Sequence, residues 1–146
     1  MKLLIKKLSE KAAVPARQTE FSAGYDLSAC CDETIVIKPG ETVKVHTGIA
    51  MEIQGDKNVV GLIYARSSTA TKHGVAPANC VGVIDWDYRG ELIVALHNSS
   101  DKEFAVNHGD RIAQLVIAPV FTPEVEAVSE LSDTVRGEGG FGSTNK

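Results

Sequence analysis

The sequence predicts an all-β domain of barrel or jelly-roll type, on three observations. Short runs rich in β-branched residues follow one another from Thr34 onward, turns containing glycine or proline separate them, and no long amphipathic helix interrupts the series. At 146 residues the chain is long enough for one compact core and too short for two ordinary ones.

Taken in order, "TIVIK" (34–38) reads as a strand that ends at the turn Pro39-Gly40. "TVKVHTGIAMEI" (42–53) is the longest run, and Gly55-Asp56-Lys57 turns the chain into "VVGLIYA" (59–65). "SSTATKHG" (67–74) is the one stretch with helical character, where small residues and a closing glycine suit one or two turns between strands. "CVGVI", the polar "DWDYRG", "ELIVALHNSS", "RIAQLVIAPVF" and "EVEAV" continue the β series. "VVGLIYA" and "RIAQLVIAPVF" are apolar on both faces, the pattern expected when one face meets the domain's own core and the other meets a second copy. A glycine-rich composition sets in after about Asp133, so the expected division is one β domain over 1–134 and a flexible C-terminal arm over 135–146.

Composition removes several function classes. The apolar fraction is 43% and the charged fraction 23%, ordinary for a globular protein, and no apolar run approaches the ~20 residues that cross a bilayer. "MKLLIKKLSE" lacks the apolar core of a secretory signal, so the expected location is cytoplasmic, or nuclear in a eukaryotic or viral setting, with no membrane partner. A net charge of −4 argues against a nucleic-acid partner, whose backbone needs clustered Lys and Arg. Cys30, Cys31 and Cys80 form neither a disulfide framework nor a zinc pattern, and read as buried small hydrophobes.

Five stretches carry the chemistry. "GVIDWDYRGE" reads either as a hairpin with a polar connection or as a site, because Asp85 directly follows "VGVI", where a rigid strand end holds a carboxylate able to take a proton from water. "AGYDLSA" places Asp26 after a glycine suited to unusual backbone angles, or is simply a strand start with one outward acid. "ARSSTA" puts Arg66 and two hydroxyls before the helical turn, a phosphate cradle in outline. "GDRIAQL" is a turn into a strand, with Gln114 as its amide. The terminal "RGEGGFGSTNK" approaches a phosphate loop, but Ser143 stands where the lysine belongs and no helix follows, so a loose tail and a phosphate grip are both open readings.

In this order and spacing, "AGYDL", "RSS", "NCVGVIDWDYRGE", "GDRIAQL" and "RGEGGFGST" resemble the trimeric dUTP pyrophosphatase (dUTPase) family, from about Phe21 to Thr144. The resemblance implies a jelly-roll or β-clip barrel that assembles as a homotrimer with shared active sites and a mobile C-terminal arm. It also implies hydrolysis of dUTP to dUMP and pyrophosphate with Mg²⁺, which removes dUTP from the nucleotide pool and supplies dUMP for dTMP synthesis.

By the same resemblance, Asp85 activates the water that attacks the α-phosphorus. Tyr88 packs beneath the deoxyribose, and Asn79 with the backbone of Gly82, Val83 and Ile84 reads the uracil edge. Arg66, Ser67 and Ser68 contact the phosphate chain, while Asp26 and Gln114 hold the waters of Mg²⁺ without ligating it directly, Gln114 also facing the substrate. Arg136, Ser143 and Thr144 reach the γ-phosphate, Phe141 stacks on the uracil, and Gly142 is among the glycines that let backbone N–H groups approach. Ala65, Ser68 and Asn145 depart from the family's frequent proline, glycine and glycine, and a serine at 68 resists backbone angles that a glycine allows. The dCTP deaminases share the architecture but fit "IDWDYRGE" less well. A dUTP-binding regulator or a purely structural jelly-roll subunit would leave the joint occurrence of the five motifs unexplained.

Overall fold

A computed structural model describes residues 1–55 and 57–140. Its elements are β1 (Lys2–Lys7), β2 (Tyr25–Ser28), β3 (Ile35–Ile37), β4 (Thr42–Gln54), β5 (Val59–Tyr64), α1 (Ser67–His73), β6 (Val75–Pro77), β7 (Gly82–Ile84), β8 (Glu91–Asn98), β9 (Phe104–Val106) and β10 (Arg111–Pro119). One sheet has the order β1-β4-β8-β6 and a second the order β2-β10-β5-β7, with β3 and β9 paired separately. From β4 to β8 the chain alternates between the two sheets at every step, and all its ladders are antiparallel, a jelly-roll type of arrangement.

Alternation within the strands builds the core. In β8 the residues Leu92, Val94 and Leu96 are buried while Ile93, Ala95 and His97 face outward, and β5 buries Val59, Gly61 and Ile63 in the same way. Leu27, Ile37, Val45, Ile49, Ile53, Val106 and Leu115 from the other strands join them in one apolar cluster. The outward face of β5 and β10 is apolar too, with Val60, Leu62, Val116 and Ala118 half-buried.

The helical turn falls where the sequence places it. α1 ends at Gly74, which adopts φ 65° and donates its N–H to the Ala70 carbonyl, the left-handed cap that glycine reaches without a Cβ penalty. Three expectations need correction. "EVEAV" is not a strand: after Pro119 the described chain has no regular element and is almost wholly exposed, pairing with no strand among the described residues. "GVIDWDYRGE" is not a hairpin, since β7 pairs with β5 and β8 pairs with β4 and β6, so residues 85–90 cross from one sheet to the other. Cys80 is exposed and not a core hydrophobe, while Cys30 and Cys31 are half-buried and pack against the edge of the core.

Candidate functional site

The site residues fall into two clusters on opposite sides of β5, one on β2, β10 and the entry to α1, the other on β7 and the loops that flank it. On one side, β10 lies between β2 and β5 and sets Gln114 opposite both Asp26 and Tyr64. A bulge between Arg111 and Ala113 adds a residue to β10, so Arg111 and Gln114, which an unbroken strand would point to opposite faces, both turn toward Asp26. Arg66 Nε donates to Asp26 Oδ1 and Arg111 Nη1 donates to Asp26 Oδ2, each at 2.9 Å. Arg66 stands at the N-cap of α1 and does not cap it; its guanidinium goes to Asp26 and, at 3.3 Å, to the Arg111 carbonyl.

Gln114 completes this cluster. Its Nε2 donates to the Ala65 carbonyl at 2.9 Å, and its Oε1 comes within 2.5 Å of where a Cβ on Gly24 would stand. Gly24 does not take a positive φ, so this position requires a glycine for space and not for backbone angles. Asp26, Arg66, Ser67, Gln114, Gly24 and Tyr64 line an open cavity of about 280 Å³. Ser68 sits half-buried in the first turn of α1 without a positive φ, so serine there carries no backbone strain.

On the other side of β5, β7 is the edge strand of its sheet. Gly82, Val83 and Ile84 pair with Ile63, Leu62 and Gly61, and the opposite edge of β7 pairs with no strand among the described residues. Asn79 adjoins that edge, its Nδ2 3.6 Å from where a Gly82 Cβ would stand, and the next residue, Cys80, is held at φ 62°. Continuing the register places Asp85 opposite Val60. The Asp85 carbonyl accepts the Tyr88 N–H at 3.1 Å, and Arg89 Nη1 donates to the carbonyls of Trp86 and Tyr88 at 2.7 and 3.0 Å, so the loop that carries Asp85 is tied to itself. The Trp86 ring lies between Lys57 and Arg89, 5.3 and 5.7 Å from its centroid.

Asp85 and Arg66 are therefore well separated in one chain. Val60 and Tyr64 are four residues apart along β5, about 13 Å at ~3.3 Å per residue, and Arg66 lies two residues further on. The fold brings Asp26, Arg66, Ser67 and Gln114 together, and separately Asn79, Gly82, Val83, Ile84, Asp85 and Tyr88. Arg136 joins neither: its Nε donates to the Gly139 carbonyl at 2.9 Å within its own exposed turn. Phe141, Gly142, Ser143, Thr144 and Asn145 lie outside the described residues.

Sequence reading passed over or misread three residues that the geometry brings in. Arg111 carried no role in "GDRIAQL", and Gly24, expected to serve unusual backbone angles, instead makes room for Gln114. Glu91, the first residue of β8, has its Oε2 2.8 Å from His46 Nδ1, and its Oε1 accepts the Gly48 N–H at 2.8 Å. Burial by itself pushes this carboxyl up, but the bonds from His46 and from the Gly48 and Thr47 backbone outweigh it and hold Glu91 below its ordinary value.

The residues of the first cluster fit a hydrated Mg²⁺ ion. Among the described residues no group of three or more His, Cys, Asp or Glu stands where it could hold a metal ion, whereas the Asp26 carboxylate and the Gln114 amide oxygen suit the waters that Mg²⁺ retains. No helix among the described residues is long and apolar enough to cross a membrane.

Residues 10–145 match the dUTPase family model. The chain is 51% identical over its whole length to the deoxyuridine 5'-triphosphate nucleotidohydrolase of Nautilia profundicola, which it also covers completely. It is 47% identical to that of Acinetobacter baumannii, with 100% of this chain and 97% of the relative covered. Among solved structures, a mutant dUTPase of Staphylococcus bacteriophage 80alpha with dUpNHpp superposes with a TM-score of 0.88 at 31% identity, over 99% of each chain. A mutant dUTPase from phage phi11 of S. aureus, described with a structural Mg(II) ion, superposes with a TM-score of 0.81 at 29% identity, over 91% of this chain and 100% of that one. With four of the five polar motifs gathered on or beside the second sheet and a family match along nearly its entire length, the chain belongs to the dUTPase family.

Proposed function

We propose that this protein hydrolyses dUTP to dUMP and pyrophosphate, at sites completed by neighbouring copies of the chain in a homotrimer. The observation that carries the reading is Asp85 at the end of an edge strand, in a chain that matches the dUTPase family over residues 10–145. The uracil lies along β7, where backbone donors and acceptors and the Asn79 amide meet its polar edge, and strand backbone leaves no room for a methyl group. The deoxyribose rests on Tyr88. Asp85 orients a water and takes its proton as the water oxygen bonds to the α-phosphorus; the bond from that phosphorus to the bridging oxygen breaks, and pyrophosphate leaves with the electron pair.

The phosphate chain lies against Arg66 and Ser67, whose donors stabilise charge that grows on the bridging and leaving oxygens. Asp26 and Gln114 would hold a Mg²⁺ ion through its waters. When bound, that ion neutralises phosphate charge. Asp26 also anchors Arg66 and Arg111, so the cluster retains positive charge toward the substrate although the chain is acidic.

Shared sites are supported by the distance along β5 between Asp85 and Arg66 in one chain, and by apolar surface that one chain leaves open. Val60, Leu62, Val116 and Ala118 face outward from the second sheet, and Phe121, Val125 and Leu131 are almost fully exposed. In this reading 1–134 is the β domain, and 135–146 is an arm that closes over a bound nucleotide, bringing Arg136 and the residues from Phe141 to Thr144 to it. The test is pyrophosphate release from dUTP with Mg²⁺, beside dCTP, dTTP and UTP, on the intact protein and on Asp85→Asn. Release from dUTP alone, lost in Asp85→Asn, supports the reading. Ammonia from dCTP, or binding of dUTP without turnover, would overturn it.

A further inference from the structure

We infer that Gly90 and the Glu91 carbonyl set the sugar selectivity of the site by fixing the ring of Tyr88. This rests on the reading proposed above, in which Tyr88 lies beneath the deoxyribose. Tyr88 is 42% exposed and stands outside the buried core cluster, so core packing does not hold its ring. Its own loop does. Tyr88 Oη donates to the Glu91 carbonyl at 3.0 Å, and a Cβ on Gly90 would stand 2.6 Å from Tyr88 Cζ and 3.0 Å from Cε2. Real Cβ contacts of that kind do not occur, so the ring reaches this position only because residue 90 has no side chain. Gly90 does not take a positive φ, so its requirement is for space alone.

The carbonyl that accepts the phenol is itself held. Glu91 opens β8 opposite Ala50, and its carboxylate takes the Gly48 N–H and the His46 ring across the bulge in β4. Tyr88 is thus fixed at its tip by a bond to an anchored strand and along its ring by contact with bare backbone. A site that refuses a substrate because it carries one extra hydroxyl needs a wall that does not yield. A mobile ring would shift and admit the 2′-hydroxyl. Gly90 is in these terms a positioning residue that acts through Tyr88, and it selects deoxyribonucleotides over ribonucleotides.

The experiment measures kcat/KM for dUTP and for UTP with Mg²⁺ on the full-length protein and on Gly90→Ala and Tyr88→Phe, with thermal melting to show that each is folded. Gly90→Ala should cut the preference for dUTP over UTP by about tenfold or more. Tyr88→Phe, which keeps the ring and removes only its tether, should cut it severalfold. A role confined to folding would lower both substrates together and leave their ratio alone. Should Gly90→Ala not fold, Tyr88→Phe decides, since Tyr88 lies outside the buried core and losing its hydroxyl leaves that core intact. An unchanged ratio in a folded variant of an active enzyme overturns the inference and spares the proposed function; a wild-type protein inactive on dUTP overturns both.

Discussion

Gln114 Oε1 lies within 2.5 Å of where a Cβ on Gly24 would stand, while its Nε2 is bonded to the Ala65 carbonyl on the other side. The amide is held between a bond and a bare Cα, which fixes the oxygen that faces the cavity. Gly24→Ala should push the amide off the Ala65 carbonyl and lower kcat/KM for dUTP by about 10²-fold, the scale set by a displacement near 1 Å. In a Gln114→Gly background the same change should cost little. Steady-state kinetics on the four proteins of that cycle checks this, and additive losses would mean that Gly24 acts elsewhere.

The two arginines on Asp26 should differ in what they contribute to stability. Arg66 is 20% exposed and Arg111 is 44% exposed, so solvent screens the second pair more. Arg66→Ala should destabilise by about 1.5–3 kcal/mol, the range for a hydrogen bond to a charged group in partial burial. Arg111→Ala should cost less than about 1 kcal/mol. Urea unfolding at one protein concentration measures both, and equal costs would contradict the ranking.

Glu91 gives the protein an acid-sensitive component. Its folded pKa is lowered from an ordinary 4.5, so it binds protons more readily unfolded than folded. Its stabilisation is complete above about that value and is lost as pH falls through the lowered folded pKa. Unfolding measured from pH 6 downward should show stability declining in that window, and Glu91→Gln should flatten the decline. A Glu91→Gln profile parallel to wild type would mean that other carboxylates account for the acid limb.

Much of the fold was legible because strands with one buried face repeat every second residue. β4, β5, β8 and β10 stood out, and so did α1 with its closing glycine. β1 did not, because three of its six residues are lysines, and only Leu3 and Ile5 turn toward the core. "EVEAV" has the composition of a strand, but pairing depends on an available edge, which composition does not report. The first cluster was legible in its members and not in its geometry. A bulge decides whether Arg111 and Gln114 share a face, and nothing in "GDRIAQL" marks one. Gly24 and Gly90 were visible as glycines, yet what each makes room for lies elsewhere in space or in the loop's own packing.

Removing the chain after Thr134 should leave the fold intact and reduce turnover of dUTP by orders of magnitude. The last strand ends at Pro119, and the exposed residues beyond it add nothing to the buried core. Circular dichroism and thermal melting of the truncated protein should match the intact one, while pyrophosphate release falls. Full activity in the truncated protein would remove the arm from the account.

The central claim is that Asp85 of one chain works with Arg66 of another. Asp85→Asn and Arg66→Ala should each be nearly inactive alone. Unfolded together and reassembled into mixed trimers, verified by native mass spectrometry, they should regain activity. In such a trimer a site that takes Asp85 from one chain and Arg66 from its neighbour is intact. Mixed trimers that form and stay as inactive as the parents would contradict the claim and place both residues in a single chain's site.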